Sequence, residues 1–181
     1  AVSKFTSVDH VFHLGSMDWL PNIQGVQWLI EEVWPKVREQ NQKAILFLAG
    51  RNMPESFKSD ASLGIQVIGE VENAAKFFKR NGIMTIPLLS GSGMRVKAVE
   101  GMSSGRPTVS TEIGVDGLGL VHGEHAFVAN TPDEFANHIL FLLESNDTAS
   151  KIAQSGQAYI RKKFSNKNII SDLVKFLKKL V

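Results

Sequence analysis

Short, continuous apolar runs alternate with stretches of helical periodicity along nearly the whole chain, and this alternation restricts the fold more than any other feature. The runs at residues 10–15, 43–49, 64–68, 83–89, 107–111 and 125–129 are rich in Val, Ile, Leu or Phe and end on Gly, Pro or a charge. They do not alternate in polarity, which is the pattern of strands covered on both faces. Between them, residues 22–39 place Ile23, Val26, Leu29, Ile30, Val33 and Val37 at helical spacing, with Pro21 before the start and Pro35 as a kink or last turn. Further helices are expected at 54–61 (short), 72–80 and 94–104, the last stopped by Gly105 and Pro107. Thr131-Pro132-Asp133-Glu134 reads as a cap, a first-turn proline and a reciprocal capping glutamate. Two helices, 145–163 and 167–180, follow with no strand between them.

Strands separated by helices predict a parallel, doubly wound α/β sheet of six strands with a helical tail, a Rossmann-like fold that suits the order 3-2-1-4-5-6. The boundaries read as a lead-in over residues 1–9, the α/β domain over 10–165, and a basic amphipathic helix over 166–181. The chain has 181 residues, 43% of them hydrophobic and 21% charged, which is enough to build a core unaided. It has no cysteine, which excludes disulfide scaffolds, Cys-type zinc sites and thiol catalysis. No apolar run approaches a membrane span, and the first residues form no signal peptide. A cytoplasmic location is therefore expected. The chain opens on Ala rather than Met, as a processed product or an excised piece would.

The net charge of +2 hides an asymmetry. Residues 151–181 hold eight basic side chains against the single acid Asp172, so they carry +7 and the rest carries −5. No aromatics are interleaved in the manner of a nucleic-acid surface, and no nucleic-acid partner is expected. The apolar stripe Ile169, Ile170, Leu173, Val174, Phe176, Leu177 and Leu180 reads as a docked helix face with lysines opposite, or as a peripheral contact with an anionic membrane.

In sheets of this order, ligands bind where the first and fourth strands diverge, at their carboxyl ends. The loops there read Gly15-Ser16-Met17-Asp18-Trp19 and Ser90-Gly91-Ser92-Gly93-Met94, and seven of the 15 glycines lie between Gly91 and Gly119. A Gly-Ser-Gly turn opening a helix lets backbone N–H groups approach an anion at the positive end of the dipole, and phosphate is the obvious anion. The same glycines are equally those of tight βα turns. Neither the P-loop nor the Gly-x-Gly-x-x-Gly pattern is present, which demotes nucleotide hydrolases and common dehydrogenases. In a helix starting near Gly93, Lys97 and Glu100 share its face. Lys97 could then neutralise phosphate and Glu100 accept from a ribose diol, unless the two are simply a surface ion pair. His122-x-x-His125 makes no convincing metal set, and Trp19, Trp28 and Trp34 read as packing side chains.

The stretch Pro87-Leu-Leu-Ser-Gly-Ser-Gly-Met-Arg-Val-Lys-Ala-Val-Glu-Gly-Met-Ser-Ser-Gly-Arg-Pro-Thr-Val-Ser-Thr111 resembles the donor-binding, C-terminal domain of GT-B glycosyltransferases of the retaining group one, also called family four. Gly50-Arg51-Asn52-Met53-Pro54, Gly69-Glu70-Val71, Gly114-Val-Asp-Gly-Leu118 and His122-Gly-Glu-His125 agree in order. The resemblance implies a UDP- or GDP-sugar as donor, with Glu100 on the ribose. Ser92, Gly93 and Met94 would hold the diphosphate through backbone N–H groups, with Gly15 and Ser16 beside it. Gly69, Glu70 and Val71 would lie near the base, and Ser90 and Gly91 near the donor sugar.

Two departures stand out. The family often shows two glutamates eight positions apart, the first contacting the donor sugar, and Ser92 stands eight before Glu100. Many relatives also have an Arg and a Lys after strand one, where Met17 and Asp18 stand here. Charge compensation then falls to Lys97, Arg51 or Arg95, with Lys97 first because Arg95 is expected to point outward. No metal or other cofactor is implied. Only the donor half of a GT-B enzyme is present, so the resemblance implies a missing N-terminal acceptor domain, a saccharide or lipid-linked acceptor, and little transfer by this chain alone. The competing readings are a non-enzymatic α/β binding module of the receiver kind, which lacks the expected acid cluster, and a fragment of a GT-B-fold UDP-sugar epimerase.

Overall fold

A computed structural model describes residues 10–80 and 82–178 of the chain. The lead-in over 1–9 and the last turn expected up to residue 180 lie outside the described residues. Six strands, β1 (His10–Leu14), β2 (Ile45–Ala49), β3 (Ile65–Gly69), β4 (Ile83–Ile86), β5 (Thr108–Ser110) and β6 (Phe127–Val128), form one parallel sheet. Their order is β3-β2-β1-β4-β5-β6, as the sequence predicts. The central strands β1 and β4 are almost wholly buried, which is why their sequences are apolar without alternation. Edge strand β3 alternates buried and open positions instead.

Helices cover both faces. On one side α1 (Leu20–Trp28), α2 (Trp34–Gln40) and α5 (Pro132–Glu144) close a core containing Val26, Val33, Trp34, Leu46, Leu48, Phe135 and Ile139. Opposite, α3 (Ala74–Arg80), α4 (Val96–Ser103) and α6 (Asn146–Lys163) enclose Phe12, Phe78, Met84, Ile86, Met102 and Ile160. α7 (Asn166–Leu177) follows α6.

Several local expectations change. The Pro35 kink is absorbed without breaking the helix: a π-helical turn over Leu29–Val33 joins α1 to α2, and Trp34 N–H donates to the carbonyl of Leu29. Widening the helix there relieves the clash between the Pro35 ring and the preceding turn. No helix forms over 54–61. Asp60 Oδ1 instead accepts from the N–H groups of Ser62 and Leu63, and Asp60 pairs with Ile65 in an antiparallel bridge. A short side chain that satisfies its own backbone competes with helix formation. Thr131 caps α5 by accepting from Glu134 N–H, while its hydroxyl donates to the Glu134 carboxylate, so the glutamate answers the cap's side chain. Finally, the apolar stripe of α7 is not docked. Ile170, Leu173 and Phe176 are 54–60% exposed, so among the described residues this face lacks the cover expected for it.

Candidate functional site

The carboxyl ends of β1, β2 and β3, faced by α4, frame a cavity of about 420 Å³ beside the switch point of the sheet. It is lined by Gly15 and Ser16 after β1, Gly50 and Arg51 after β2, Glu70 and Val71 after β3, and Lys97 and Glu100 on α4. Leu14, Ala74 and Phe78 supply its apolar floor and wall. Residues more than eighty positions apart in sequence thus meet because four parallel strands end at one edge.

The β1 side of the cavity is interlocked. Gly15 N–H donates to Ala49 carbonyl (3.0 Å) and Met17 N–H to Arg51 carbonyl (2.9 Å). Asp18 accepts from Ser16 Oγ at 2.7 Å and from Asn52 Nδ2 at 2.5 Å, and these bonds hold its carboxyl below the usual range. Gly50 has φ +144°, and a Cβ there would stand 1.7 Å from Gly15 carbonyl oxygen, so the two loops touch backbone to backbone. Only glycine permits that approach.

Lys97 stands at the base of the cavity. Its Nζ donates to Asn22 Oδ1 at 2.6 Å, and Asn22 Nδ2 donates to Ser16 carbonyl at 2.7 Å. Burial, reinforced by the positive charge of Arg95, pushes the Lys97 amine down to about 7. Glu100 lies next along the same face of α4 and is exposed to the cavity. An acceptor pair at one end and a depressed lysine near two glycine loops can receive, respectively, a sugar diol and a multiply charged anion.

The remaining sequence-derived residues do not line this cavity. Ser90, Gly91, Ser92, Gly93 and Met94 form an exposed loop beside it. α4 begins at Val96 with Arg95 as its cap, later than Gly93, so the Gly-Ser-Gly turn does not itself open the helix, and Gly93 is off the face shared by Lys97 and Glu100. Gly69 ends β3 and accepts from Gly50 N–H at 2.8 Å, without reaching the cavity. Arg95 does not point outward. It is 7% exposed, donates to Ser92 carbonyl at 2.6 Å, and lies 4.9 Å from the ring centre of Trp19. Trp28 and Trp34 pack as expected, against Phe135 and within the core, whereas Trp19 is 37% exposed beside Arg95.

Sequence reasoning assigned no role to Asn22 or His13. Asn22 sits directly after Pro21 in the first turn of α1, where a short amide reaches back to the loop before it. That position was its one available signal. His13 lies within an apolar strand, and nothing in the sequence distinguishes it from a packing side chain.

Comparison with known proteins places this geometry. The family model described as glycosyl transferases group 1 matches residues 9–145. A 44.6 kDa protein of the cps region of Klebsiella pneumoniae, itself uncharacterized, is 28% identical over 175 residues, 92% of this chain and 45% of its own length. S. aureus TarM, solved as a variant with fondaparinux, α-GlcNAc-glycerol and UDP, superposes with a TM-score of 0.78 at 17% identity over 94% of this chain and 36% of its own. The C-terminal domain of a group 1 family glycosyl transferase, LpcC of Francisella tularensis, gives 0.71 at 15% identity over 88% of both chains. The chain thus spans less than half the length of the K. pneumoniae relative and about the whole of an isolated C-terminal domain. A family model that covers most of the sequence, on a six-stranded parallel sheet with its cavity beside the switch point, makes this chain a member of the group 1 glycosyl transferases.

Proposed function

We propose that the chain is the nucleotide-sugar-binding half of a hexosyltransferase that uses a UDP- or GDP-sugar. The observation that carries the reading is the cavity itself: it gathers Gly15, Ser16, Arg51, Glu70 and Val71 from the loops after β1, β2 and β3, and Lys97 and Glu100 from α4. In this reading Glu100 accepts from the ribose hydroxyls and Glu70 and Val71 border the base. Gly15 and Ser16 let the diphosphate approach the β1 loop, and Ser92, Gly93 and Met94 close over it from the other side. Ser90 and Gly91 face the donor sugar. The UDP held by S. aureus TarM favours uridine.

Sugar transfer breaks the bond between the anomeric carbon and the diphosphate oxygen while an acceptor hydroxyl forms the new one, so negative charge grows on the departing nucleoside diphosphate. Lys97 and Arg51 meet that charge, and no metal or other cofactor is assigned a part. An anion beside Lys97 restores the proton that burial removes, so the lysine becomes cationic when it is needed. The acceptor, a saccharide or a lipid-linked sugar, would be held by an N-terminal domain outside this chain, and the chain alone should transfer little. The cps setting of the K. pneumoniae relative points to polysaccharide assembly.

Among the described residues, no helix is long and apolar enough to cross a membrane. The exposed apolar face of α7, with Lys167 and Lys175 on the same helix, supports peripheral contact with an anionic bilayer, to be tested by co-sedimentation with phosphatidylglycerol vesicles.

The experiment for the site is a metal-free thermal-shift titration with UDP, GDP, ADP and CMP, on the wild type and Glu100→Ala. At 100 times its dissociation constant the true ligand adds about 2.7 kcal/mol of stability. A shift with UDP or GDP, lost in Glu100→Ala, supports the reading. A shift equal in both proteins removes Glu100 from the site.

A further inference from the structure

Beneath the cavity, β1 buries a histidine that the proposed binding scheme does not use. The His13 ring is wholly inaccessible, with Nδ1 3.1 Å from Thr85 carbonyl. A carbonyl oxygen only accepts, so Nδ1 carries the proton. Burial, followed by the charge of Lys97, holds the imidazole well below its ordinary value, against the opposing pull of the Thr85 bond. The ring is therefore neutral at pH 7, and Nε2 is a bare acceptor with no hydrogen-bond partner. A buried acceptor left open in this way calls for a physical reason.

Its neighbours supply one. His13 Nε2 and Lys97 Nζ each lie 2.9 Å from the point where a Cβ on Gly15 would stand, and Asn22 Nδ2 lies 3.0 Å from it. Three side chains from β1, α1 and α4 therefore converge under one glycine at the cavity wall. Asn22 already ties Lys97 to the β1 loop through Ser16 carbonyl. His13 Nε2, buried and unpartnered, is the open acceptor within the cluster.

We propose that His13 is a positioning residue for Lys97: its Nε2 accepts from the lysine Nζ when a nucleoside diphosphate enters, so that binding takes up one proton from solvent and holds the resulting ammonium against the diphosphate. The inference rests on the nucleotide-site reading above. Other charged groups surround Lys97. Arg95, the cap of α4, opposes its charge, and Arg51 after β2, Glu70 after β3 and Glu100 on α4 are the charged groups that line the same cavity. With the empty-site amine at about 7, proton uptake on binding should be largest above neutral pH.

The test is calorimetric titration with UDP at pH 7 to 9, each in two buffers of different ionisation enthalpy, on the wild type, His13→Leu, His13→Gln and Lys97→Met. The wild type should take up close to one proton per UDP at pH 8, and Lys97→Met none. His13→Leu fills the space without an acceptor. It should bind UDP roughly tenfold more weakly at pH 8, with its uptake profile moved to lower pH, and His13→Gln should recover most of both. If His13→Leu does not fold, long-range ¹H–¹⁵N spectra of the wild type replace it. The Nε2 resonance should then move on UDP addition as an acceptor gains its donor, and a static resonance overturns the proposal. UDP binding with an unchanged proton count in folded His13→Leu overturns this inference alone. GDP replaces UDP as titrant where the thermal shift selects it, and binding of neither nucleotide by the wild type overturns the site reading and this inference with it.

Discussion

The loops after β1 and after β4 have similar sequences, Gly15-Ser16-Met17 and Gly91-Ser92-Gly93-Met94, yet they are held in opposite ways. The first is locked: Met17 is 4% exposed, Ser16 and Asn52 bond Asp18, Asn22 bonds Ser16 carbonyl, and Gly50 presses on Gly15. The second is exposed over residues 90–94 and held mainly from beneath, by Arg95 on Ser92 carbonyl, with a long 3.3 Å contact from Ser90 to Gln24. The difference teaches that glycine in a βα loop has two distinct uses. At Gly50 it admits another backbone, and at Gly93 it only supplies a φ of +84° with open space around it.

The contrast can be broken most forcefully at Gly50. Gly50→Ala drives a methyl into Gly15 carbonyl at a strained φ, and should cost more than about 3 kcal/mol or abolish folding, as read by urea denaturation. Next comes the lysine beneath the locked loop. Its amine is displaced downward, so between about pH 7 and 10 the unfolded chain binds more protons than the folded one, and stability rises with pH across that window. The rise attributable to Lys97 is on the order of 3 kcal/mol, and a pH series of denaturation curves should flatten by that amount in Lys97→Met.

Much of this architecture was legible beforehand. Six continuous apolar runs bounded by Gly, Pro or charge marked the strands, because buried parallel strands tolerate little else. Lys97 and Glu100 could be placed on one helical face by spacing alone. The start of α4 could not, because Gly93 and Arg95 are both compatible with a helix start, and only the seat of Arg95 under Ser92 and beside Trp19 decides between them.

A milder probe sharpens the comparison from the open side. Gly93→Ala meets no neighbour within 4 Å, so it should cost about 1 kcal/mol, the backbone strain alone, against the collapse expected at Gly50. Smallest of all is Asp18→Ala, whose carboxylate is exposed and whose bonds are local. It should leave the global melting temperature nearly unchanged while hydrogen exchange quickens at residues 16–19 and 51–53. The same loosening should appear in the wild type as pH falls through the lowered titration of Asp18, since a depressed carboxyl stabilises only while it is ionised.

Periodicity, apolar runs and turn chemistry by themselves determined that this chain makes a doubly wound sheet, where its six strands run, and that a candidate site is to be sought at their carboxyl ends. These are local properties, written in neighbouring residues. Tertiary structure alone decided that Gly50 and Gly15 touch, that Arg95 turns inward, that the α7 stripe is exposed among the described residues, and that Asn22 and His13 gather round Lys97. Each depends on contacts between segments tens of residues apart. A strand histidine or a first-turn asparagine carries no mark of what the other end of the chain will bring to it.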